Sequence, residues 1–140
     1  MSRALCMLLV AAALLPACGG TSGGQTSGYT VTVRSGGKEM GRFDLATLRA
    51  MPAVNVTTPQ SQGKQVQHGP LVRTVLARAG VQRFVTLSAS GPRGTQTFSA
   101  ADIDDQVVLD FDNRGTVKLA GSHLAQDRWV QDVTVLDASS

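Results

Sequence analysis

The feature that most constrains the fold is the strict alternation of apolar and polar residues in several short segments. Alternation with a period of two is typical of a β-strand that buries one face, because successive side chains point to opposite sides of the backbone. The apolar members of the three clearest segments are Tyr29, Val31 and Val33, then Val85, Leu87 and Ala89, then Val107, Leu109 and Phe111. A chain of this kind must pair its short strands into sheets and cover one face of each sheet.

Glycine-containing turns follow two of these segments. Ser35-Gly36-Gly37-Lys38 and Gly91-Pro92-Arg93-Gly94 both predict hairpins, because glycine adopts the backbone angles that tight turns require. Further strands are expected at residues 39–43, 54–58, 95–98 and 128–136, with a short strand leading up to His68. The sequence therefore predicts a domain made mostly of short strands.

Two segments predict helices. Asp44 can cap a short helix whose apolar side chains lie on one side and which ends at Pro52. A clearer helix is expected to begin at Gly69-Pro70, with proline in the first turn and Gly80 as a left-handed stop. Its apolar stripe consists of Leu71, Val72, Val75, Leu76 and Ala79. With a further helical turn capped by Ser99, the pattern predicts a single α+β domain, mostly β, over residues 29–137.

The amino end has the organisation of an export signal. Arg3 is followed by an uncharged apolar run over residues 4–17, which as a helix would span about 21 Å, short of the roughly 30 Å hydrocarbon layer of a bilayer. The run ends in Leu15-Pro16-Ala17-Cys18, which resembles the lipobox of bacterial lipoproteins. Residues 1–17 are therefore expected to be a signal peptide. The same resemblance implies that Cys18 becomes a diacylglyceryl cysteine, with fatty acids such as palmitate, that anchors the protein to the extracytoplasmic side of the cell membrane or outer membrane.

An alternative for the same residues is an ordinary secretory leader cut near Ala17, which would leave Cys18 as a lone thiol. An exposed lone thiol is a liability in an oxidising compartment, so the lipid anchor is preferred. After Cys18 the chain contains only Gly, Ser, Thr and Gln up to residue 28, and this composition predicts a flexible tether with a mean span of about 17 Å.

Charge and cysteine content exclude some kinds of partner. The chain has 13 basic and 10 acidic side chains, and loss of the leader would remove only Arg3 from this set. A small positive charge without runs of Lys or Arg argues against nucleic acid as a partner. Cys6 and Cys18 are the only cysteines, so the domain is expected to fold without an internal disulfide.

Three motifs, in this order, resemble a known family. Residues 43–52 read Phe-Asp-Leu-x-x-Leu-x-x-Met-Pro, a helix from Gly69-Pro70-Leu71 to Ala79-Gly80 follows, and Trp129-Val130-x-x-Val133-x-Val135 comes last. Together they are similar to short forms of the molybdopterin-binding domain of the sulfite-oxidase-like oxidoreductases, over about residues 40–136. The resemblance implies a sulfite-oxidase-like fold, and in that family a molybdenum site held by a cysteine thiolate.

The chain departs from this family where the cofactor would bind. The domain has no cysteine, and the arginine- and histidine-rich stretches that hold the pterin phosphate in full-length members have no counterpart. The expectation is therefore no catalytic residue, no metal site and no cofactor, although binding of molybdopterin without a thiolate stays an alternative. The resemblance thus supports the fold more than the enzyme activity.

Few side chains are candidates for binding. His68 is preferred over His123, because His68 is expected to precede the helix at Gly69-Pro70, whose free N–H groups could hold an anion. Arg93 lies at an expected hairpin tip and can offer its planar fork to a carboxylate or a phosphate. The alternative without a function in binding is that His68 is an ordinary surface histidine and that Arg93 only contributes to solubility. The acidic residues Asp102, Asp104 and Asp105 are expected to form a solvated turn.

Two functions are compatible with these features. The first is a membrane-anchored, non-catalytic binding or interaction module that serves an envelope protein or a small anionic ligand. The second is an accessory subunit of a molybdopterin-dependent oxidoreductase that still binds the pterin cofactor. Stoichiometric molybdenum in the purified protein would favour the second.

Overall fold

A computed structural model describes residues 28–140 of the protein. The strands in chain order are β1 (Thr30–Ser35), β2 (Lys38–Asp44), β3 (Ala53–Thr57), β4 (Val66–Pro70), β5 (Thr86–Gly91), β6 (Gly94–Ser99), β7 (Val107–Phe111), β8 (Val117–Gly121) and β9 (Val135–Ser139). The helices are α1 (Leu45–Arg49) and α2 (Val72–Arg78), with single 3-10 turns at Ala100–Asp102 and Gln126–Arg128. The fold is thus α+β and mostly β, as the sequence predicts.

One sheet has five strands in the order β2-β1-β9-β5-β6. Strands β1 and β9 run parallel, whereas the other neighbours in this sheet are antiparallel. The first and last strands of the domain therefore lie side by side, and β9 occupies the centre of the sheet. Hairpins β3–β4 and β7–β8 form two separate two-stranded ladders.

The hairpin β7–β8 contacts two other segments of the domain, one at the end of β4 and one at Val130. A single antiparallel bridge joins Leu71, just after β4, to Val108 of β7, and another joins Leu119 of β8 to Val130. Gly69 of β4 lies directly against the backbone of Leu109, so closely that a side chain at this position would collide with the carbonyl oxygen. Strands β4 and β7 therefore pack backbone to backbone, which only a glycine permits.

Helix α1 forms as the sequence predicts. The carboxylate of Asp44 accepts a hydrogen bond of 2.8 Å from the backbone N–H of Thr47, which caps the first turn. Hydrogen bonds from Thr47 also lower the pKa of Asp44. Leu48 and, just beyond the helix, Met51 enter the core, so the short helix is held by its buried face.

The predicted start of α2 is wrong. Gly69 and Pro70 continue β4, where they pair with Val54 and Ala53, and the helix begins only at Val72. Pro70 stands at the end of a strand, a place where the missing N–H costs no ladder bond. The predicted end is confirmed, because Gly80 has a φ of 89° and comes directly after Ala79, the C-cap residue of the helix.

The end of the chain also differs from the prediction. The sequence pattern does not predict strand β8, and the final strand is shorter and begins later than the predicted strand at residues 128–136. The segment before β9 contains a 3-10 turn and Asp132 with a φ of 52°, a left-handed conformation that interrupts an extended ladder. The apolar spacing of Val130 and Val133 therefore reflects burial in an irregular segment.

A single hydrophobic core joins the sheet, the helices and the β7–β8 hairpin. Its fully buried members include Val31, Val33, Leu87 and Leu136 from the sheet, Val75 and Leu76 from α2, and Leu109 and Leu119 from the hairpin. Burying each of these side chains contributes about 1.5–3 kcal/mol of hydrophobic free energy. Over residues 28–140, the helices are too short to span a bilayer.

Candidate functional site

The most unusual side chain in the domain is the buried carboxylate of Asp110. It lies in β7, where the first four of the five residues are buried, so this strand is covered on both faces. The alternation around Leu109 and Phe111 suggested a strand with one solvated face, and that expectation is wrong for Asp110, which has 0% exposure. A charge in such a place needs partners to offset the loss of water.

A loop and two strands provide these partners. The ammonium group of Lys64, in the loop between β3 and β4, donates to both carboxylate oxygens of Asp110 at 2.9 and 3.0 Å. The backbone N–H of His68 donates to the same carboxylate at 2.7 Å. Lys118, directly opposite on β8, holds its ammonium group 3.8 Å from Asp110. The carboxylate thereby ties the β3–β4 loop to the β7–β8 hairpin.

A cavity of about 540 Å³ opens beside this cluster. Its charged lining consists of Arg49, Lys64, Asp110, Asp112 and Lys118, with Phe111 and Asn113 completing the wall. Cavities of roughly 300–1,000 Å³ with a few converging polar groups are typical of small-molecule sites. The cluster and this cavity form the candidate site.

The carboxylate of Asp112 is held by its own loop. It accepts hydrogen bonds from the hydroxyl of Thr116 and from the backbone N–H groups of Arg114 and Thr116. Partial burial opposes its ionisation, but these hydrogen bonds and the charge of Arg114 lower the pKa of Asp112. Asp112 is therefore a fixed negative charge at the rim of the cavity.

His68 lies in β4 and not before a helix. The Nδ1–H of its exposed ring donates a hydrogen bond of 2.7 Å to the side-chain oxygen of Asn55 on the neighbouring strand. The expectation that helix N–H groups next to His68 hold an anion is wrong, because α2 begins beyond Pro70 and Leu71. The contribution of His68 to the candidate site is its backbone N–H. A ligand contact through its ring stays a prediction.

Arg93 lies, as expected, in the turn between β5 and β6 and is exposed. It lines a second cavity of about 230 Å³ together with Trp129, Gln96, Gln131 and Asp127. His68 lines neither this cavity nor the one beside Asp110. The two residues chosen from the sequence are therefore not brought together in one site.

Trp129 belongs to the core. The residue is 7% exposed, and its indole N–H donates to the carbonyl oxygen of Leu124 at 3.1 Å. The ammonium group of Lys118 lies 5.2 Å from the ring centroid, within the range of a cation–π interaction. The Lys118 side chain is therefore in contact with both the Trp129 ring and the Asp110 carboxylate.

The acidic residues at 102–105 serve local structure. Asp102 completes a capping box with Ser99, Asp104 accepts from the N–H of Gln106, and Asp105 forms an exposed ion pair with Arg73 at 3.5 Å. These contacts agree with the interpretation of a solvated turn. Cys18 lies outside the described residues.

The described residues do not fit the molybdenum centre that the family resemblance implies. Residues 28–140 contain no cysteine, and within them no three His, Cys, Asp or Glu side chains gather as metal ligands. The buried amide of Gln67 has an oxygen without a partner in this part of the chain, but an amide oxygen is a hard ligand and does not replace a thiolate.

Sequence reasoning missed the site around Asp110. Lys64 and Asp110 are 46 positions apart, and nothing in their spacing indicates contact. The one available signal was an acidic residue within the apolar run Val107-Val108-Leu109-Asp110-Phe111, since a charge in a strand covered on both faces requires a partner.

Comparison with known proteins supports the fold. Neither the family models nor the curated proteins compared with the chain include a match. Among solved structures, the chain is similar to the sulfane dehydrogenase SoxCD from Paracoccus pantotrophus, with 18% identity and a TM-score of 0.63. The match covers 86% of this chain but only 40% of the dehydrogenase chain. At this identity the likeness concerns the fold alone, and it supports an α+β, mostly β domain.

Proposed function

We propose that the protein is a lipid-anchored protein of the bacterial cell envelope whose sulfite-oxidase-like domain is a non-catalytic binding module. The observation that carries this proposal is a fold of that kind in which residues 28–140 contain no cysteine. Without a thiolate, the domain lacks the soft ligand that molybdenum takes in the family it resembles. What remains is a folded scaffold with a charged cavity.

The anchoring part of the proposal rests on the sequence before the domain. The basic start, the apolar run over residues 4–17 and the ending Leu15-Pro16-Ala17-Cys18 support cleavage before Cys18 and lipidation of its thiol. The domain would then face the extracytoplasmic side, where its partner is an envelope protein or a small anionic ligand.

A second candidate is an accessory subunit that binds a pterin cofactor without thiolate ligation. The structural likeness to a dehydrogenase favours it, because the chain resembles part of a larger redox protein. The two candidates differ in one measurable property, which is the content of metal and pterin in the purified protein.

The test is elemental and pterin analysis of the full-length protein, produced in a host that makes molybdopterin. We expect molybdenum and pterin at background levels, equal to those of a Cys18→Ala variant purified in parallel. The variant controls for metal bound by an unlipidated thiol at Cys18. One equivalent of molybdenum per chain in both proteins would contradict the binding module and support the accessory subunit.

A further inference from the structure

The cavity beside Asp110 carries an excess of positive charge. Three cationic side chains line it, those of Arg49, Lys64 and Lys118, against the two carboxylates of Asp110 and Asp112. The lining therefore has a net charge of about +1 when all five groups are ionised. A ligand with a single negative charge would neutralise it.

The carboxylates of the cavity are already engaged, so they do not form a cation site. Asp110 accepts from Lys64 through both oxygens and from the backbone of His68. Asp112 accepts from Thr116 and from the N–H of Arg114. A metal ion would have to displace these donors.

Arg49, in contrast, is free to bind. Among residues 28–140 no carboxylate lies within ion-pair distance of its exposed guanidinium group. The group lies 5.4 Å from the centroid of the Phe111 ring. A guanidinium that is stacked on an aromatic ring keeps its edge available for a bidentate pair with a carboxylate.

The lysines of the cavity can add to such a pair. Lys64 uses one ammonium group for both oxygens of Asp110, and an ammonium group has three donors. Lys118 is held in place by Asp110 and by the Trp129 ring, with a side chain that is 16% exposed. Positive groups that are fixed before binding lose little freedom when an anion arrives.

We propose that this cavity binds a small monocarboxylate, whose carboxylate pairs with Arg49 and the two lysines and whose apolar part lies beside Phe111. The proposal rests on the proposed function of a binding module and names its site and ligand class. It favours a monocarboxylate over a phosphate, because a doubly charged anion would exceed the net charge of the lining and would leave the apolar wall at Phe111 uncovered.

The experiment is a calorimetric titration of the full-length protein, in detergent, with benzoate as the probe. Benzamide, which has the same ring without the charge, and inorganic phosphate are titrated at matched ionic strength. We expect saturable binding of one benzoate per chain, with benzamide and phosphate each at least tenfold weaker.

The site is tested with Arg49→Gln and with Arg78→Gln as a matched control. Both arginines are exposed and lie in the last turn of a short helix, but Arg78 lies outside this cavity. We expect Arg49→Gln to weaken benzoate binding about tenfold, the effect of losing one charge-assisted pair, and Arg78→Gln to leave binding unchanged. Arg49→Lys, which keeps the charge but loses the fork, should fall between the two and provides the test if Arg49→Gln does not fold.

Several outcomes would overturn the proposal: no benzoate binding to the wild-type protein, tighter binding of phosphate, or equal losses in the Arg49→Gln and Arg78→Gln variants. These failures are distinct from failure of the proposed function. If the protein contains no molybdenum and does not bind benzoate, the binding module stands but its ligand is a different one. If the protein contains stoichiometric molybdenum, the proposal of a non-catalytic binding module itself is contradicted.

Discussion

At the scale of single residues, the buried carboxylate of Asp110 shows how one charge holds two elements together. Lys64 reaches it from a loop, and Lys118 reaches it from the neighbouring strand. Because the Lys64 side chain is 52% exposed, it can return to water when its partner is lost, which limits the penalty of removing the carboxylate charge.

We expect Asp110→Asn to lower the free energy of unfolding by about 1.5–3 kcal/mol. The amide has nearly the same shape, and its oxygen can still accept from the His68 N–H, but the NH2 group that replaces the second oxygen cannot accept from Lys64 and the negative charge is lost. Urea denaturation measures the loss, and Asp127→Asn at an exposed position is the control. Losses of equal size in the two variants would contradict the role assigned to Asp110.

The single tyrosine of the chain provides a second prediction at this scale. Its hydroxyl donates to the carbonyl oxygen of Val133 and accepts from the N–H of Val117. Burial raises the pKa of Tyr29 to about 12, and the carboxylates of Asp132 and Asp112 add to the rise. A tyrosine in an unfolded chain has a pKa near 10.

We therefore expect the ultraviolet signal of tyrosinate to appear near pH 12 in the folded protein and near pH 10 in denaturant. Because the folded pKa is the higher one, the neutral phenol contributes stability that is complete below about pH 10 and is lost as the pH rises toward about 12. The Tyr29→Phe variant should lose less of its folding stability than the wild-type protein between about pH 10 and about pH 12, because it has no phenol to ionise. Titration near pH 10 in the native protein would show that the phenol is not buried as described.

At the scale of elements, the contact between β4 and β7 depends on a missing side chain. A Cβ atom at Gly69 would lie 1.8 Å from the carbonyl oxygen of Leu109, which is backbone and cannot rotate away. The close approach also places the His68 N–H within reach of Asp110. The packing of β4 on β7 and the geometry of the candidate site therefore both require a glycine at position 69.

We expect Gly69→Ala to destabilise the protein by about 2–3 kcal/mol or more, because the strands must separate to accommodate the methyl group. Gly63→Ala is the matched control, since a Cβ there has nothing within 4 Å and the φ is not left-handed. The measurement is denaturant unfolding of both variants. Equal stability of the two would mean that β4 and β7 are further apart than the structure has them.

At the scale of the whole molecule, the domain closes by pairing its two ends. Strand β1 lies parallel to β9. The hydroxyl of Tyr29, just before β1, donates a hydrogen bond to the carbonyl oxygen of Val133, shortly before β9. The segment proposed as a tether therefore joins the domain at a well-anchored point. A lipid at Cys18 would hold the domain at the membrane without requiring any part of the fold to enter the bilayer.

We expect wild-type protein to sediment with membranes and Cys18→Ala protein to be released from them, because a thioether-linked lipid cannot form on alanine. The measurement is fractionation of cells at high salt, which removes proteins held only by charge. Cys6→Ala, within the apolar run, is the control and should stay with the membranes. A Cys18→Ala protein that remains fully membrane-bound would contradict lipid anchoring.

The sequence by itself determined the mostly β character of the domain, the first hairpin, the cap at Asp44 and the stop at Gly80, because each depends on neighbours within a few residues. The motifs at residues 43–52, Gly69–Gly80 and Trp129 resemble a family with an α+β, mostly β fold, and the structural comparison supports a fold of this class. Only the tertiary structure decided that Gly69 and Pro70 extend a strand, that β8 exists, and that Lys64 and Lys118 meet at Asp110. These features depend on residues far apart in the chain, and a local pattern carries no information on which distant backbone or charge will lie opposite it.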